Sequence, residues 1–130
     1  MGERTGLPFP PSARWVAVNR HYSAVDVPAA IGTFIEATNR GDSEAFAAAF
    51  AEDAHLYDYG RAFHGRDRVR DWDRTDNIRV QAHFELIDAV AGPAQDRYAV
   101  TLKVTSNRYN GTGPMTFRLR GGLIADLRIG

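Results

Sequence analysis

Asp58 is the titratable residue whose surroundings in the sequence best suit acid–base chemistry. Ala54, Leu56 and Asp58 alternate with His55, Tyr57 and Tyr59, which is the two-residue period of a half-buried strand. Ala54 and Leu56 mark the inward row, so the Asp58 carboxylate is expected beside an apolar cavity. Loss of water there favours the protonated form and brings a carboxylate toward the range useful for a general base. The competing reading is a strand-end aspartate that is solvated or bound to the Gly60–Arg61 backbone. Full exposure, or pairing with an arginine away from any cavity, would decide for the second.

Other residues offer weaker chemistry. His55, His64 and His83 invite a metal reading, but a zinc site needs three convergent ligands and an open position. By alternation His55 and His83 share an outer face with Tyr57 and Glu85. His64 precedes Gly65, where it can satisfy backbone groups at a helix start. The spacing predicts no metal and no cofactor. Tyr98, Ser106, Arg108, Trp72 and Asp73 are candidates for a pocket rim. Asp88 continues the inward row of Phe84 and Leu86 at the far end of its strand. His64, Asp88 and Arg108 are therefore kept as polar support for Asp58. The stretch RDRVRDWDRTD at 66–76 reads as a solvated helix face with local ion pairs.

The elements that must position these groups follow from periodicity. Residues 1–25 form an extension carrying Pro8, Pro10 and Pro11, with Trp15, Val16, Val18 and Tyr22 apolar enough to dock on the body or on a partner. In the domain proper, 26–130, Asp26 is the expected N-cap of a helix carrying Ile31, Phe34, Ile35 and Thr38, stopped by Asn39-Arg40-Gly41. Asp42 caps a second helix with Phe46, Ala49 and Phe50. A short strand pair turns at Gly60, and a third helix runs from Arg66 to Arg74. Four strands with one apolar face each then follow, joined at 92–96, at Asn110-Gly111 and at Gly121-Gly122. Such a meander must be covered on its apolar face, and the three helices are available to cover it.

Composition bounds the rest. A chain of 130 residues holds one core of ordinary size. Sixteen basic and sixteen acidic residues cancel, which argues against general attraction to nucleic acid or anionic membrane. The absence of cysteine excludes disulfides and thiolate chemistry. No apolar run is long enough to span a membrane, and the first residues lack the pattern of a secretory signal, so a cytoplasmic location is expected. Lys103 is the only lysine, which together with many alanines suggests a GC-rich bacterial source.

IGTFIEATNRGDSEAFAAAFAEDAHLYDY at 31–59 and FHGRDRVRDW at 63–72 resemble the nuclear transport factor 2-like superfamily, in particular its SnoaL-like and ketosteroid isomerase-like domains. The resemblance covers about residues 26–130. It implies an α+β cone: a curved antiparallel sheet with three helices on its concave face around an apolar pocket. The pocket wall would comprise Phe34, Phe50, Leu56, Trp72, Phe84, Tyr98, Val100, Met115 and Phe117. Asp58 falls at the catalytic-base position of ketosteroid isomerase-like members. Their phenolic and acidic oxyanion donors correspond to Phe34 and Met115, which weakens the steroid isomerase and polyketide cyclase readings. Limonene epoxide hydrolase-like members use an Asp-Arg-Asp set, for which Asp58, Arg108 and Asp88 are the available residues. The expected function is binding of a small, largely apolar molecule, with proton-transfer chemistry of isomerase, cyclase or dehydratase type on Asp58. The alternative is a non-catalytic ligand-binding or dimerisation module. Sheet-face pairing in this fold implies a homodimer through His55, Tyr57, Tyr59, Thr101, Lys103 and Thr105.

Overall fold

Helix α1 (Ala29–Arg40) buries Ile31, Phe34, Ile35 and Thr38 along one stripe. It ends at Gly41, whose φ of 72° is left-handed, and the next amide, Asp42 N–H, donates to the Ala37 carbonyl at 2.8 Å. The computed structural model describes residues 27–92 and 94–130. The N-cap expected at Asp26 and the extension 1–25 lie outside them. Asp42 caps α2 (Ser43–Ala48) as its side chain accepts from the Ala45 amide at 3.0 Å. This helix is shorter than expected. Phe50 already begins β1 (Phe50–Asp58), and α2 buries Phe46 and Ala47.

The remaining elements are β2 (Arg61–His64), α3 (Arg66–Trp72), a π-helical turn (Asp73–Asn77), β3 (His83–Ala91), β4 (Arg97–Thr105), β5 (Gly111–Arg120) and β6 (Leu123–Ile129). They form a six-stranded sheet in the order β2-β1-β6-β5-β4-β3. The sheet is mixed, not purely antiparallel as expected. The meander β3 to β6 returns its last strand beside β1, and these two run parallel. Register shifts in β1, β3 and between β5 and β6 bend the sheet into a curved, open surface around the helices. No helix among the described residues is long and apolar enough to cross a membrane.

The shift in β3 corrects one sequence expectation. Leu86 faces Leu102 and Ala89 faces Val100, so the extra residue between them turns Asp88 to the side of Thr101. Asp88 therefore leaves the inward row of Phe84 and Leu86.

The concave side is filled with aromatic rings. Phe34, Phe46, Phe50 and Phe117 are fully buried. The Phe34 ring centroid lies 5.2 Å from Phe84, 5.3 Å from Phe117, 5.4 Å from Phe46 and 6.2 Å from Phe50. Edge-on and tilted contacts of this kind add to the area buried by each ring. Asn39 ties this helix to the sheet, donating to the Phe84 carbonyl at 2.9 Å and accepting from the Phe84 amide at 2.7 Å. Truncating the hub should be costly. We expect Phe34→Ala to lower the unfolding free energy by about 3–5 kcal/mol in denaturant titration. A loss below about 1 kcal/mol would show that Phe34 does not organise the core.

Candidate functional site

The inward row of β1 delivers Asp58 to the wide end of the cone, where its side chain is 16% exposed. Two donors meet its Oδ2 atom: an Arg61 guanidinium nitrogen at 2.6 Å and the Trp72 indole Nε1 at 2.9 Å. Among the described residues no hydrogen bond falls on Oδ1. Arg61 also reaches Asp76 at 3.3 Å, and Arg108 pairs with the other oxygen of Asp76 at 3.4 Å. The hydrogen bonds from Arg61 to Asp76 and then to Asp58 hold its guanidinium even more firmly protonated than usual. The result is a chain Asp58–Arg61–Asp76–Arg108 along one rim.

This rim borders a cavity of about 200 Å³. Its apolar wall is Val80, Ala82, Phe84, Leu102, Val104, Met115 and Ile129. Asp58 is thus ion-paired with an arginine, but on a cavity and not away from one. Trp72, Phe84, Met115 and Arg108 line the cavity. Phe34, Phe50, Leu56, Val100 and Phe117 do not, because they are packed solid as the core of the narrow end. Tyr98 packs half-buried against that core, and burial with nearby Asp96 raises its phenol above the usual range. Phe34 is walled off from the cavity by Phe84, whose ring stacks on it and lines the cavity.

Two of the expected supporting residues lie elsewhere. His64 sits away from the cavity, its Nδ1 2.5 Å from Nε2 of His55 across the β1–β2 pair. Asp88 is on the other side of its bulge and does not line the cavity. Among the described residues no cluster of three or more His, Asp or Glu is arranged to hold a metal ion.

Sequence reasoning missed the π-turn and the β4–β5 loop. The helix predicted to end at Arg74 widens after Trp72, with the Ile78 amide donating to the Asp73 carbonyl at 2.9 Å. The widened turn sends Asp73 into the core at 1% exposure, puts Asp76 on the rim and Asn77 in the cavity wall. Asn77 Nδ2 donates to both Asp73 Oδ1 at 3.0 Å and Thr38 Oγ1 at 2.9 Å. An ionised carboxylate only accepts, so it turns the Asn77 amide nitrogen toward itself. In the loop, Asn110-Gly111 does not make the expected two-residue turn. Ser106 Oγ accepts from the Arg108 and Tyr109 amides at 3.0 and 2.9 Å, and Gly111 already pairs with Val104. The longer loop carries Arg108 and Tyr109 over the cavity. A serine after an apolar strand is too common a signal for this to have been read in advance.

The family model described as the SnoaL-like domain matches residues 31–127. Among curated proteins none matches this sequence. Solved structures share the fold. A candidate polyketide cyclase from Sinorhizobium meliloti is 23% identical, covering 84% of this chain and 100% of its own, with a TM-score of 0.76. A candidate ketosteroid isomerase from Kribbella flavida is 17% identical over 78% of this chain and 73% of its own, with a TM-score of 0.67. A Mycobacterium tuberculosis protein in complex with estradiol-17beta-hemisuccinate is 19% identical over 77% of this chain and 88% of its own, also with a TM-score of 0.67.

Burial raises the Asp73 carboxyl above its ordinary pKa, against the hydrogen bonds from Asn77 and Ser43. The folded state thus holds this proton more tightly than the unfolded chain. Its ionisation costs stability above the folded pKa, and that cost disappears as pH falls toward the ordinary carboxylate value. Asp73→Asn removes the titration. Denaturant unfolding at pH values from neutral to about 4.5 should show the parent gaining stability relative to Asp73→Asn as the pH falls. A difference that is flat, or that shrinks, contradicts the assignment.

Proposed function

This chain belongs to the SnoaL-like domain family, and from that premise we propose that it binds a small, largely apolar molecule at the mouth of its cone. On that molecule Asp58 acts as general base in proton-transfer chemistry of isomerase, cyclase or dehydratase type. The observation that carries the reading is one carboxylate in the wall of an apolar cavity, held through Oδ2 alone. Trp72 and Arg61 fix its direction, and Oδ1 is the oxygen left to take a substrate proton. Arg61 and Arg108 stand on the same rim, where a positive group can stabilise charge developing on a substrate oxygen. Isomerisation of steroid type is disfavoured, because by resemblance Phe34 and Met115 stand where ketosteroid isomerase-like members carry their oxyanion donors.

One observation favours a second reading. The single guanidinium of Arg61 bridges Asp58 and Asp76, an Asp-Arg-Asp arrangement in which Arg61 and Asp76 stand in place of the expected Arg108 and Asp88. Such a set can activate water for epoxide opening. This reading predicts that a small cyclic epoxide is converted to a diol carrying oxygen from isotope-labelled water, with both Asp58→Asn and Asp76→Asn abolishing it. No diol from a panel of cyclic epoxides would sink it.

We extend the proposal to a homodimer joined through the outer sheet face, where His55, Tyr57, Thr101, Lys103 and Thr105 give a mixed surface; Tyr59, expected with them, lines the cavity instead. Arg128 lies over the Tyr57 ring there, 4.6 Å from its centre. A monomeric mass in solution would refute the dimer.

The principal test begins with native mass spectrometry of the purified protein to identify a retained molecule, then an assay on it. Asp58→Asn should cost about 10²–10⁴ in rate while leaving ligand affinity within a few-fold. Full activity in that variant would exclude Asp58 as the base. Retained binding with no turnover in the parent protein would leave a ligand-binding module.

A further inference from the structure

The shape of the cavity limits what it can hold. Its floor cannot deepen, because Phe84 lines it and stacks directly on the fully buried Phe34. Its volume of about 200 Å³ is only modestly above the roughly 150 Å³ in which an apolar cavity holds benzene, and below the roughly 300 Å³ where drug-sized sites begin. The rim is electrically balanced, since Asp58 and Asp76 face Arg61 and Arg108. A net charge on the ligand therefore has nothing unpaired to meet.

Two tyrosines stand over the opening. Tyr59 and Tyr109 are the exposed large hydrophobic residues among those described, at 70% and 53%, and both line the cavity. Tyr59 comes from the β1–β2 turn and Tyr109 from the β4–β5 loop, so they approach from opposite sides. They lie close enough for Tyr109 to push the Tyr59 phenol above its ordinary pKa. Each ring is seated on a glycine. A Cβ at Gly130 would stand 2.5 Å from the Tyr59 ring, and one at Gly111 would stand 2.5 Å from the Tyr109 hydroxyl. Tyr59 also holds a φ of 48°, a left-handed conformation that a bulky residue adopts only at a cost. Exposed rings placed this way, over a cavity and at backbone strain, need a reason that burial does not supply.

We propose that Tyr59 and Tyr109 form a two-ring strap across the mouth, which restricts the site to neutral one- or two-ring molecules of about seven to twelve non-hydrogen atoms. This rests on the small-molecule reading of the cavity and narrows it to a substrate class. A single or fused ring fits beneath the strap with a hydroxyl or carbonyl toward Asp58. A longer polycyclic molecule must displace both tyrosines. The strap shuts water from the carboxylate once the ring is in place, so the same two residues set size and exclude solvent.

Calorimetric titration of the full chain with phenol, naphthol and estradiol tests this. The parent protein should bind naphthol at least tenfold more tightly than estradiol. The double variant Tyr59→Ala/Tyr109→Ala should narrow that ratio to within about threefold. Gly111→Ala, which displaces the Tyr109 ring without removing the phenol, should move the ratio in the same direction, and circular dichroism confirms that each variant is folded. Estradiol bound as tightly as naphthol by the parent overturns the size limit while the pocket reading stands. Unchanged discrimination in folded variants overturns the strap. Binding of none of the three probes removes the small-molecule reading and this proposal with it.

Discussion

Phe34 touches four other phenylalanine rings, and through them nearly every layer of the fold. Its partners come from α2 (Phe46), β1 (Phe50), β3 (Phe84) and β5 (Phe117), and Trp72 of α3 stacks on Phe46 at 6.2 Å. A bent sheet exposes a concave apolar face that must be filled, and flat rings meeting edge to face fill a tapering space without voids. The helices are amphipathic and short, so little of their order comes from propensity alone. They are held where their aromatic residues fit. A hydroxyl added to Phe34 would have to find a partner among hydrocarbon rings, and burial without one is unfavourable. The cluster thereby explains why this position carries phenylalanine.

Filling the narrow end moves the chemistry to the rim. What remains open lies between the β1–β2 turn, the π-turn and the β4–β5 loop. Polar contacts fasten these three segments to one another. Asn107 N–H donates to the Val80 carbonyl at 2.8 Å and its side chain reaches Gln81, which joins the loop to the turn that follows the π-helical residues. Arg61 and Arg108 converge on Asp76 from the other two. Trp72 connects core and rim in one side chain. Its ring belongs to the aromatic cluster, and its indole N–H points at Asp58. The orientation of the carboxylate is therefore set by the same packing that stabilises the fold.

Much of this was legible in the sequence where local pattern and burial agree. The helix stripe at Ile31, Phe34, Ile35 and Thr38, the stop at Gly41, the cap at Asp42 and the alternation that turns Asp58 inward all carry through to the structure. Alternation failed where a single residue was inserted. One bulge in β3 sent Asp88 to the other face, and no residue type announces that position. The wide turn after Trp72 was hidden for a similar reason. RDRVRDWDRTD reads as a charged surface, and Arg68, Asp71 and Arg74 do form exposed ion pairs there. One residue of extra winding sorts Asp73 into the core and Asp76 onto the rim, a distinction that composition does not contain. The parallel pairing of β1 with β6 is likewise a property of the strand order of the whole sheet. The pocket wall was misread most. Large apolar residues were assigned to line a cavity that they instead fill.

The two partners of Asp58 differ in kind, and the difference bears on how the site can work. Arg61 is half exposed, so its ion pair is surrounded by water and exchanges easily for other contacts. Trp72 is only 4% exposed, so its hydrogen bond is better shielded from water than the ion pair is. In the proposed reading a ligand meets Oδ1, and were Arg61 to loosen, Trp72 would still hold the carboxylate through Oδ2. Arg61 would retain Asp76, to which it is already bound, and so stays beside the reacting group as a cation. The indole supplies the fixed direction and the guanidinium supplies the adjustable charge. That division leaves Oδ1 without a hydrogen bond among the described residues, on a rim whose charges balance.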